Sequence, residues 1–187
     1  IVACVDSRGT GARGEEFRKC TYMNLGVYES DDQIAAAKYF ASLPYIDASK
    51  IGIWGWSYGG YNVLMSMSRG GGVFKAGVAI APVTDWKFYD TVYGERFMRT
   101  PQQNATGYTA GSPINLANKL EGNLLLIHGS ADDNVHFQNT MDYANALIKA
   151  NKQFDMFVMP DRDHSMRGSH NRTYLYNKVI KFFKENM

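Results

Sequence analysis

Residues Ile51–Tyr61 read IGIWGWSYGGY, and the other motifs of the chain are interpreted around this stretch. It contains the pattern G-x-S-x-G at Gly55, Ser57 and Gly59, after a short apolar run and before a helical pattern. A chain that turns from strand to helix within a few residues strains the serine backbone and lifts its hydroxyl clear of the sheet. We expect both glycines to admit close approach of neighbouring backbone. The alternative is a chance glycine-serine turn, but the preceding strand favours a nucleophilic Ser57.

The bulk composition is that of a globular domain. A length of 187 residues is enough for one domain with a substantial core, and 45% hydrophobic with 20% charged residues is an ordinary balance. The net charge of +2 argues against nucleic acid or an anionic membrane as a partner. No apolar run approaches the length of a membrane span. The composition therefore predicts one globular domain, and its function must be inferred from the motifs.

The chain opens on the apolar segment Ile1–Val5, which we expect to form a buried strand. Because proteins usually begin with a more polar segment, we expect this chain to be cut from a longer one. Cys4 lies inside the segment and is expected to be a buried structural thiol. With Cys20 it makes only two cysteines, too few for a disulfide framework, and whether they pair stays open.

Apolar periodicity predicts alternating strands and helices along the remaining chain. This alternation is typical of a parallel α/β sheet flanked by helices. We also expect the aromatic segment Val83–Thr100 to be helical, Pro101–Gly111 to be a loop, and a short helix to begin at Ser112-Pro113. A strand is predicted to begin at Ile51, and later strands are predicted at Val73–Ala81, Asn123–His128 and Phe154–Met159. The predicted helices span Asp31–Leu43, Tyr58–Ser68, His136–Ala150 and His170–Asn186.

A second glycine motif, G-x-G-x-x-G at Gly9, Gly11 and Gly14, suggests a dinucleotide site. Its surroundings argue against that interpretation. Glu15 and Glu16 follow where a pyrophosphate would meet repulsion, and no clean apolar helix opens there. We therefore expect no dinucleotide cofactor.

A serine hydroxyl needs a base, and the base needs an acid that orients it. In α/β-hydrolases these partners follow the serine in the order acid, then histidine, on loops after later strands. His164 follows the predicted strand Phe154–Met159 and is the expected base. His128 ends a buried strand and is expected to be structural. The remaining histidines, His136 and His170, begin helices and do not directly follow a later strand.

The acid must come from the loop after the strand Asn123–His128. Two aspartates, Asp132 and Asp133, stand there side by side. The residues alone do not decide between them, and turn or helix-capping roles are the alternative for both.

Five short motifs, spread along essentially the whole chain, resemble those of one enzyme family. They are Asp6-x-Arg8-Gly9-x-Gly11, Gly55–Tyr61, Ala81-Pro82-Val83-x-x-Trp86, Ala131–Phe137 and Asp163-His164. Together and in this order they resemble the dipeptidyl peptidase IV branch of the prolyl oligopeptidase family. The resemblance implies an α/β-hydrolase fold and a serine dipeptidyl peptidase that releases N-terminal dipeptides with Pro or Ala in the second position.

The resemblance also implies a role for individual residues. Ser57 would be the nucleophile, Asp132 the acid and His164 the base, and the Tyr58 N–H would donate to the oxyanion. Asn134 would bind a substrate carbonyl. An aromatic and aliphatic pocket for the proline or alanine side chain would be lined by Val83, Trp86, Tyr89, Tyr93 and Val135. Without the resemblance, Trp86–Tyr93 would be interpreted as a core-facing helix.

Family members carry more than this chain offers. An N-terminal β-propeller grips the substrate amino terminus through paired glutamates, and an upstream tyrosine supplies a second oxyanion donor. Residues 1–187 are therefore expected to be the C-terminal portion of a catalytic domain that lacks its first strands and its propeller, and to be weak or inactive alone. The resemblance implies peptide substrates with a penultimate proline and a homodimer through this domain. It implies a periplasmic, secreted or membrane-anchored location, and no cofactor or metal.

Other functions stay open on the sequence. Within the fold, the chain could be another prolyl oligopeptidase-family peptidase, such as an oligopeptidase or acylaminoacyl peptidase, or a carboxylesterase. Asn134 with Tyr89 and Tyr93 argues against the esterase. The non-enzyme alternative is a pseudo-peptidase that serves as an interaction subunit. Such relatives usually lose the nucleophile, whereas Ser57 is present here.

Overall fold

Four parallel strands form one sheet in the computed structural model, which describes all residues 1–187. They are β1 (Gly52–Trp56), β2 (Ala76–Ile80), β3 (Asn123–Gly129) and β4 (Asp155–Met159), and they lie in the order β1-β2-β3-β4. Trp56 at the end of β1 is in register with Ile80, and Ile80 with Ile127. The strands therefore end at one edge of the sheet, where the loops of a parallel sheet bring ligand-binding groups together.

The helices are α1 (Glu15–Lys19), α2 (Val27–Ala41), α3 (Tyr58–Arg69), α4 (Thr91–Met98), α5 (Ala105–Ala110), α6 (Gln138–Lys149) and α7 (Ser169–Asn186). Short 3₁₀ turns span Trp86–Phe88 and Pro113–Lys119. No helix combines the length and the apolarity that crossing a bilayer requires.

The sheet is covered on both faces. Along β3, Leu124 and Leu126 pack in one apolar cluster, and Leu125 and Ile127 pack in another. This alternation follows from the two-residue period of a strand and explains why the strand sequence is continuously apolar. The first cluster includes side chains of α2, α3 and α6, and the second includes Leu175, Val179 and Phe182 of α7. The predicted parallel α/β sheet flanked by helices is confirmed, with four strands present.

The prediction for the amino-terminal segment was wrong. Ile1–Val5 forms no strand, and Ile1 is 96% exposed. An apolar run becomes a strand only beside a partner strand, and none lies next to this segment. Cys4 is correspondingly exposed rather than buried, and both it and Cys20 are free thiols.

Three helix predictions need correction. Pro101–Gly111 is not all loop, because Asn104 accepts a hydrogen bond from the Gly107 N–H and starts α5. The predicted helix Val83–Thr100 is interrupted between Trp86–Phe88 and α4, where Tyr89 is extended. Helix α2 begins at Val27, four residues before the predicted Asp31, because Gly26 takes a left-handed conformation and ends the preceding turn.

Candidate active site

Ser57 occupies the turn between β1 and α3. Its backbone has φ 59° and ψ −118°, a conformation rare for a residue with a side chain. The Ser57 N–H donates to the carbonyl of Ile80 at 2.8 Å, which ties the turn to the end of β2. The predicted strained strand-to-helix turn is thus present, and the hydroxyl stands at the edge where the strands end.

The glycines of this turn do not all serve the expected purpose. A methyl group on Gly55 would overlap the backbone of Gly59, and one on Gly60 would lie 2.8 Å from the Ile80 carbonyl oxygen. A methyl group on Gly59 would meet nothing within 4 Å. The expectation that a glycine is needed for close backbone approach therefore holds for Gly55, which lies against the backbone of Gly59. It is wrong for Gly59, where a side chain would have space.

Ser57, His164 and Asp132 form a continuous hydrogen-bonded chain. His164 Nε2 lies 2.9 Å from Ser57 Oγ, and His164 Nδ1 lies 2.7 Å from Asp132 Oδ2. A carboxylate at Nδ1 requires a proton on that nitrogen, so Nε2 carries the lone pair that faces the serine hydroxyl. Asp133, left open by the sequence, is exposed, whereas Asp132 is buried.

The loop that carries Asp132 and the loop that carries His164 are hydrogen-bonded to each other. The Ala131 N–H donates to the Arg162 carbonyl at 3.1 Å, and the Asp161 N–H donates to the Ser130 hydroxyl at 2.9 Å. A methyl group on Gly129 would overlap the Arg162 carbonyl, so the two loops approach through a glycine. The Asp132–His164 pair is therefore held by backbone contacts and not by its own hydrogen bond alone.

Both carboxylate oxygens of Asp132 are engaged. Oδ1 accepts from the N–H groups of Asn134 at 3.0 Å and Val135 at 2.9 Å. Burial by itself would raise the pKa of Asp132, but hydrogen bonds from His128 and His164 and the nearby backbone N–H outweigh it and leave the pKa below its ordinary value. Asp132 is accordingly an ionised carboxylate at neutral pH.

His128 is structural, as predicted, but it also touches the acid. It is fully buried, with Nδ1 2.7 Å from the Thr140 hydroxyl and Nε2 2.8 Å from the Val135 carbonyl. Nε2 lies 3.2 Å from Asp132 Oδ2 as well. Its spacing of four residues from Asp132 was the only signal in the sequence, and that spacing does not reveal contact outside a helix.

Tyr58 begins helix α3 directly after the serine. As a first-turn residue it has no intrahelical acceptor for its N–H, which remains available to an oxyanion. Its side chain lies in a group of aromatic rings, 5.5 Å from Trp86 and 5.4 Å from Tyr61 between ring centroids.

The five apolar and aromatic residues predicted to line a pocket lie in one cluster, which we call the aromatic box. Trp86 stacks on Tyr93 at 5.5 Å, and Tyr89 meets the edge of Tyr93 at 5.4 Å. Tyr89 and Tyr93 are partly exposed, whereas Val83, Trp86 and Val135 are buried. Its members are Val83, Trp86, Tyr89, Tyr93 and Val135, with Tyr58 packed against them.

Asn134 projects beside the aromatic box. Its side-chain carbonyl accepts a hydrogen bond from the Tyr89 hydroxyl at 2.7 Å. Burial raises the pKa of Tyr89, so its hydroxyl remains a donor. Asn134 is exposed, and with its oxygen occupied in this way its amide N–H groups are left as donors.

Two further residues touch this site and escaped the sequence analysis. The Trp56 indole N–H donates to the His164 backbone carbonyl at 3.0 Å. The buried Glu29 accepts a hydrogen bond from the Tyr58 hydroxyl at 2.6 Å. Both contacts join residues distant in the chain, and no local pattern marks them. Ser57 also borders an open cleft of ≈ 360 Å³, together with Trp56, His164 and Tyr176.

Comparison with known proteins relates the whole chain to one family. The profile described as the prolyl oligopeptidase family matches residues 1–187. The chain is 45% identical over 187 residues to dipeptidyl aminopeptidase B of Saccharomyces cerevisiae, covering 98% of this chain and 23% of that protein. The crystal structure of Porphyromonas gingivalis dipeptidyl peptidase 4 superposes with a TM-score of 0.97 at 62% identity, covering 98% of this chain and 26% of that one.

The chain thus spans about a quarter of the length of these relatives. These two relatives are named as a dipeptidyl aminopeptidase and a dipeptidyl peptidase, and the two matches extend over almost all residues of this chain. The chain belongs to the prolyl oligopeptidase family, within its dipeptidyl peptidase IV branch.

Proposed function

We propose that the protein is a serine dipeptidyl peptidase that removes N-terminal dipeptides with proline or alanine in second position. The observation that carries the proposal is the Ser57–His164–Asp132 chain of hydrogen bonds ending beside the aromatic box. Its relatives' names support the same activity.

In the proposed acylation step, His164 Nε2 takes the proton of Ser57 as Oγ attacks the scissile carbonyl. The negative charge that develops on the carbonyl oxygen is stabilised by the Tyr58 N–H. His164 then gives its proton to the leaving amine, and the C–N bond breaks to leave an acyl-enzyme. Ionised Asp132 keeps the imidazole in the required tautomer and stabilises its charged form throughout.

Hydrolysis repeats these steps with water in place of serine. His164 removes a proton from the water as its oxygen attacks the ester carbonyl, and returns a proton to Ser57 Oγ as that oxygen leaves. The free dipeptide carries the new carboxyl group, and the enzyme regains its starting state.

The aromatic box is the proposed binding site for the acyl residue. A prolyl ring is compact, apolar and without an N–H donor, so rings and valine methyl groups suit it. The exposed amide of Asn134 is positioned to donate to a backbone carbonyl of the substrate. We infer that Val83, Trp86, Tyr89, Tyr93 and Val135 give the preference for small apolar residues.

The proposal is tested by assaying the protein, expressed as its gene encodes it, against Gly-Pro-p-nitroanilide with a free and with a blocked amino terminus. We expect turnover of the free form, loss of turnover in Ser57→Ala, and strong preference over the blocked form. Cleavage of blocked or internal bonds would instead indicate an oligopeptidase or acylaminoacyl peptidase. Ester turnover without amide turnover would indicate a carboxylesterase.

A pseudo-peptidase is the remaining alternative. A fluorophosphonate probe distinguishes it, because only an activated serine reacts readily. Labelling that disappears in Ser57→Ala supports the enzyme, and absence of labelling supports an interaction subunit.

We also propose that residues 1–187 act as the C-terminal part of a larger catalytic unit with a β-propeller, because the relatives are about four times longer. A homodimer through this domain is supported by exposed apolar side chains on β1 and α7, among them Trp54 and Ile180. Sedimentation of the wild type and of Ile180→Glu tests the dimer. We propose a location outside the cytoplasm, which cell fractionation tests.

A further inference from the structure

Glu29 is a buried carboxyl group that the proposed reaction does not use. Only 4% of the residue is exposed. Its Oε1 accepts from the Tyr58 hydroxyl at 2.6 Å, and its Oε2 accepts from the Gly26 N–H at 2.9 Å. Carboxylates are rarely buried without a purpose because removal from water disfavours their charge. Glu29 is hydrogen-bonded directly to Tyr58, the residue that follows Ser57, and this contact links it to the site.

The carboxyl group is fixed by backbone and not only by its own side chain. Glu29 lies in the first turn of α2, and Gly26 before it has φ 86°. A methyl group on Gly26 would overlap the Tyr61 hydroxyl, which lies 2.9 Å from the Leu25 carbonyl and 2.8 Å from the Gly111 carbonyl. This packing leaves the start of α2, and therefore Glu29, little freedom to move.

Tyr58 is the residue through which Glu29 can reach the reaction. Burial, together with the charge of nearby Glu29, raises the pKa of Tyr58, so its hydroxyl stays protonated and donates. The ring of Tyr58 packs on Trp86, and the N–H of Tyr58 opens α3 beside Ser57. Fixing the hydroxyl therefore fixes the plane of a ring that forms one wall of the aromatic box.

We propose that Glu29 is a positioning residue which, through the Tyr58 hydroxyl, holds the wall of the aromatic box and so sets the preference for a prolyl ring over an alanyl methyl group. The inference rests on the proposed function. A prolyl ring fills the box and contacts its walls, whereas a methyl group leaves the Tyr58 wall untouched. Loss of the anchor should therefore affect proline far more than alanine.

The experiment compares kcat/KM for Gly-Pro- and Gly-Ala-p-nitroanilide in Glu29→Ala, with the protein expressed as its gene encodes it. We expect a loss of about tenfold for proline and less than about twofold for alanine, the size of effect that a small misplacement of a binding wall produces. Glu29→Gln keeps only one acceptor for the two donors, so we expect about a threefold loss for proline.

A double-mutant cycle isolates the contact. Tyr58→Phe removes the hydroxyl and keeps the ring, and we expect the same shift in the proline-to-alanine ratio as in Glu29→Ala. The double variant should show no further shift, because both changes break one interaction. Ser30→Ala is the matched control: Ser30 is buried in the same turn and donates to the Gly26 carbonyl at 2.6 Å, but it makes no hydrogen bond to Tyr58. It should leave the ratio unchanged.

The outcomes separate the two proposals. Failure of the wild type to release Gly-Pro would refute the proposed function and this inference with it. An active wild type whose variants lose proline and alanine turnover equally, or whose losses add in the double variant, would overturn the role of Glu29 and leave the proposed function intact. If Glu29→Ala does not fold, Glu29→Gln and Tyr58→Phe decide the question by the same ratio.

Discussion

The indole N–H of Trp56 donates to the backbone carbonyl of His164 at 3.0 Å. Trp56 is the last residue of β1 and precedes Ser57, while His164 lies in the loop after β4. The strands that bear these residues stand at opposite edges of the sheet. This hydrogen bond therefore joins the end of β1 to the loop after β4 and helps to keep His164 within reach of Ser57.

Replacing this donor should weaken activity without unfolding the protein. In Trp56→Phe a smaller aromatic ring still packs against the core, but the carbonyl of His164 loses its hydrogen-bond donor. We expect kcat to fall about tenfold, as misplacement of a reacting group does. Steady-state kinetics measure it. Trp54→Phe, on the same strand with its side chain 46% exposed and no hydrogen bond to the site, should keep full activity, and equal losses in the two variants would contradict the argument.

Asp132→Asn should disable the site while leaving its shape. The amide would present an N–H to His164 Nδ1 and favour the wrong tautomer, so we expect kcat to fall by about 10⁴. Asp133→Asn is the control, because that side chain is exposed. It should stay near wild-type activity. A smaller loss at position 132 than at 133 would reverse the assignment of the acid.

Asp132 also predicts a pH dependence of stability. The pKa of Asp132 is lower in the folded than in the unfolded protein, so the ionised carboxylate stabilises the fold. This contribution to the free energy of unfolding is complete above the unfolded-state pKa of about 4, and it is lost as the pH falls through the folded-state pKa. The difference in unfolding free energy between wild type and Asp132→Asn should therefore shrink as the pH drops below about 4. Urea unfolding at pH 7 and at acid pH measures this difference, and a constant difference would count against an ionised Asp132.

Tyr89→Phe tests the orientation of Asn134. Without the Tyr89 hydroxyl the amide of Asn134 is free to turn its oxygen toward the substrate carbonyl, which repels it. Loss of one hydrogen bond of about 1 kcal/mol corresponds to about a fivefold fall in kcat/KM. We expect the loss to appear in KM. In an Asn134→Ala background the substitution should have little further effect, and an undiminished effect there would indicate a role for Tyr89 outside this pair.

The two glycines of the serine turn should respond differently to alanine. Gly55→Ala forces a methyl group into the Gly59 backbone, and we expect the free energy of unfolding to fall by about 2 kcal/mol or more, with loss of activity. Gly59→Ala meets open space within a helix, so its stability should change by less than about 1 kcal/mol. Thermal unfolding of both variants measures the contrast, and similar effects would show that the turn tolerates a side chain.

Sequence patterns sufficed for the sheet because each strand carries its own signal. The apolar run Leu124–Ile127 predicts a strand, and it lies within β3. The start of α2 was missed because the left-handed Gly26 and the capping Glu29 lie in a segment without apolar periodicity. Ile1–Val5 was mispredicted because strand formation depends on a neighbour that composition does not reveal.

The residues of the site also divide into those that the sequence predicts and those that only the folded structure reveals. Ser57 and His164 could be named from their positions after strands, since the ends of parallel strands meet at one edge. Asp132 and Asp133 could not be separated by residue type, because only burial and contacts distinguish them. Trp56 and Glu29 touch residues of the site that are far away in the sequence, and His128 touches Asp132 outside a helix, and such contacts exist only once the chain is folded.

The conformation of Ser57 has a consequence for how such a domain evolves. With φ 59° and ψ −118°, the backbone that exposes the hydroxyl costs about 1–3 kcal/mol, a sizeable share of the stability of a typical domain. Glycine adopts this conformation with far less strain, so a Ser57→Gly variant should be inactive and more resistant to heat than the wild type. Selection for turnover therefore opposes selection for thermal endurance at this one position, and lineages freed from catalysis can gain robustness by giving up the serine.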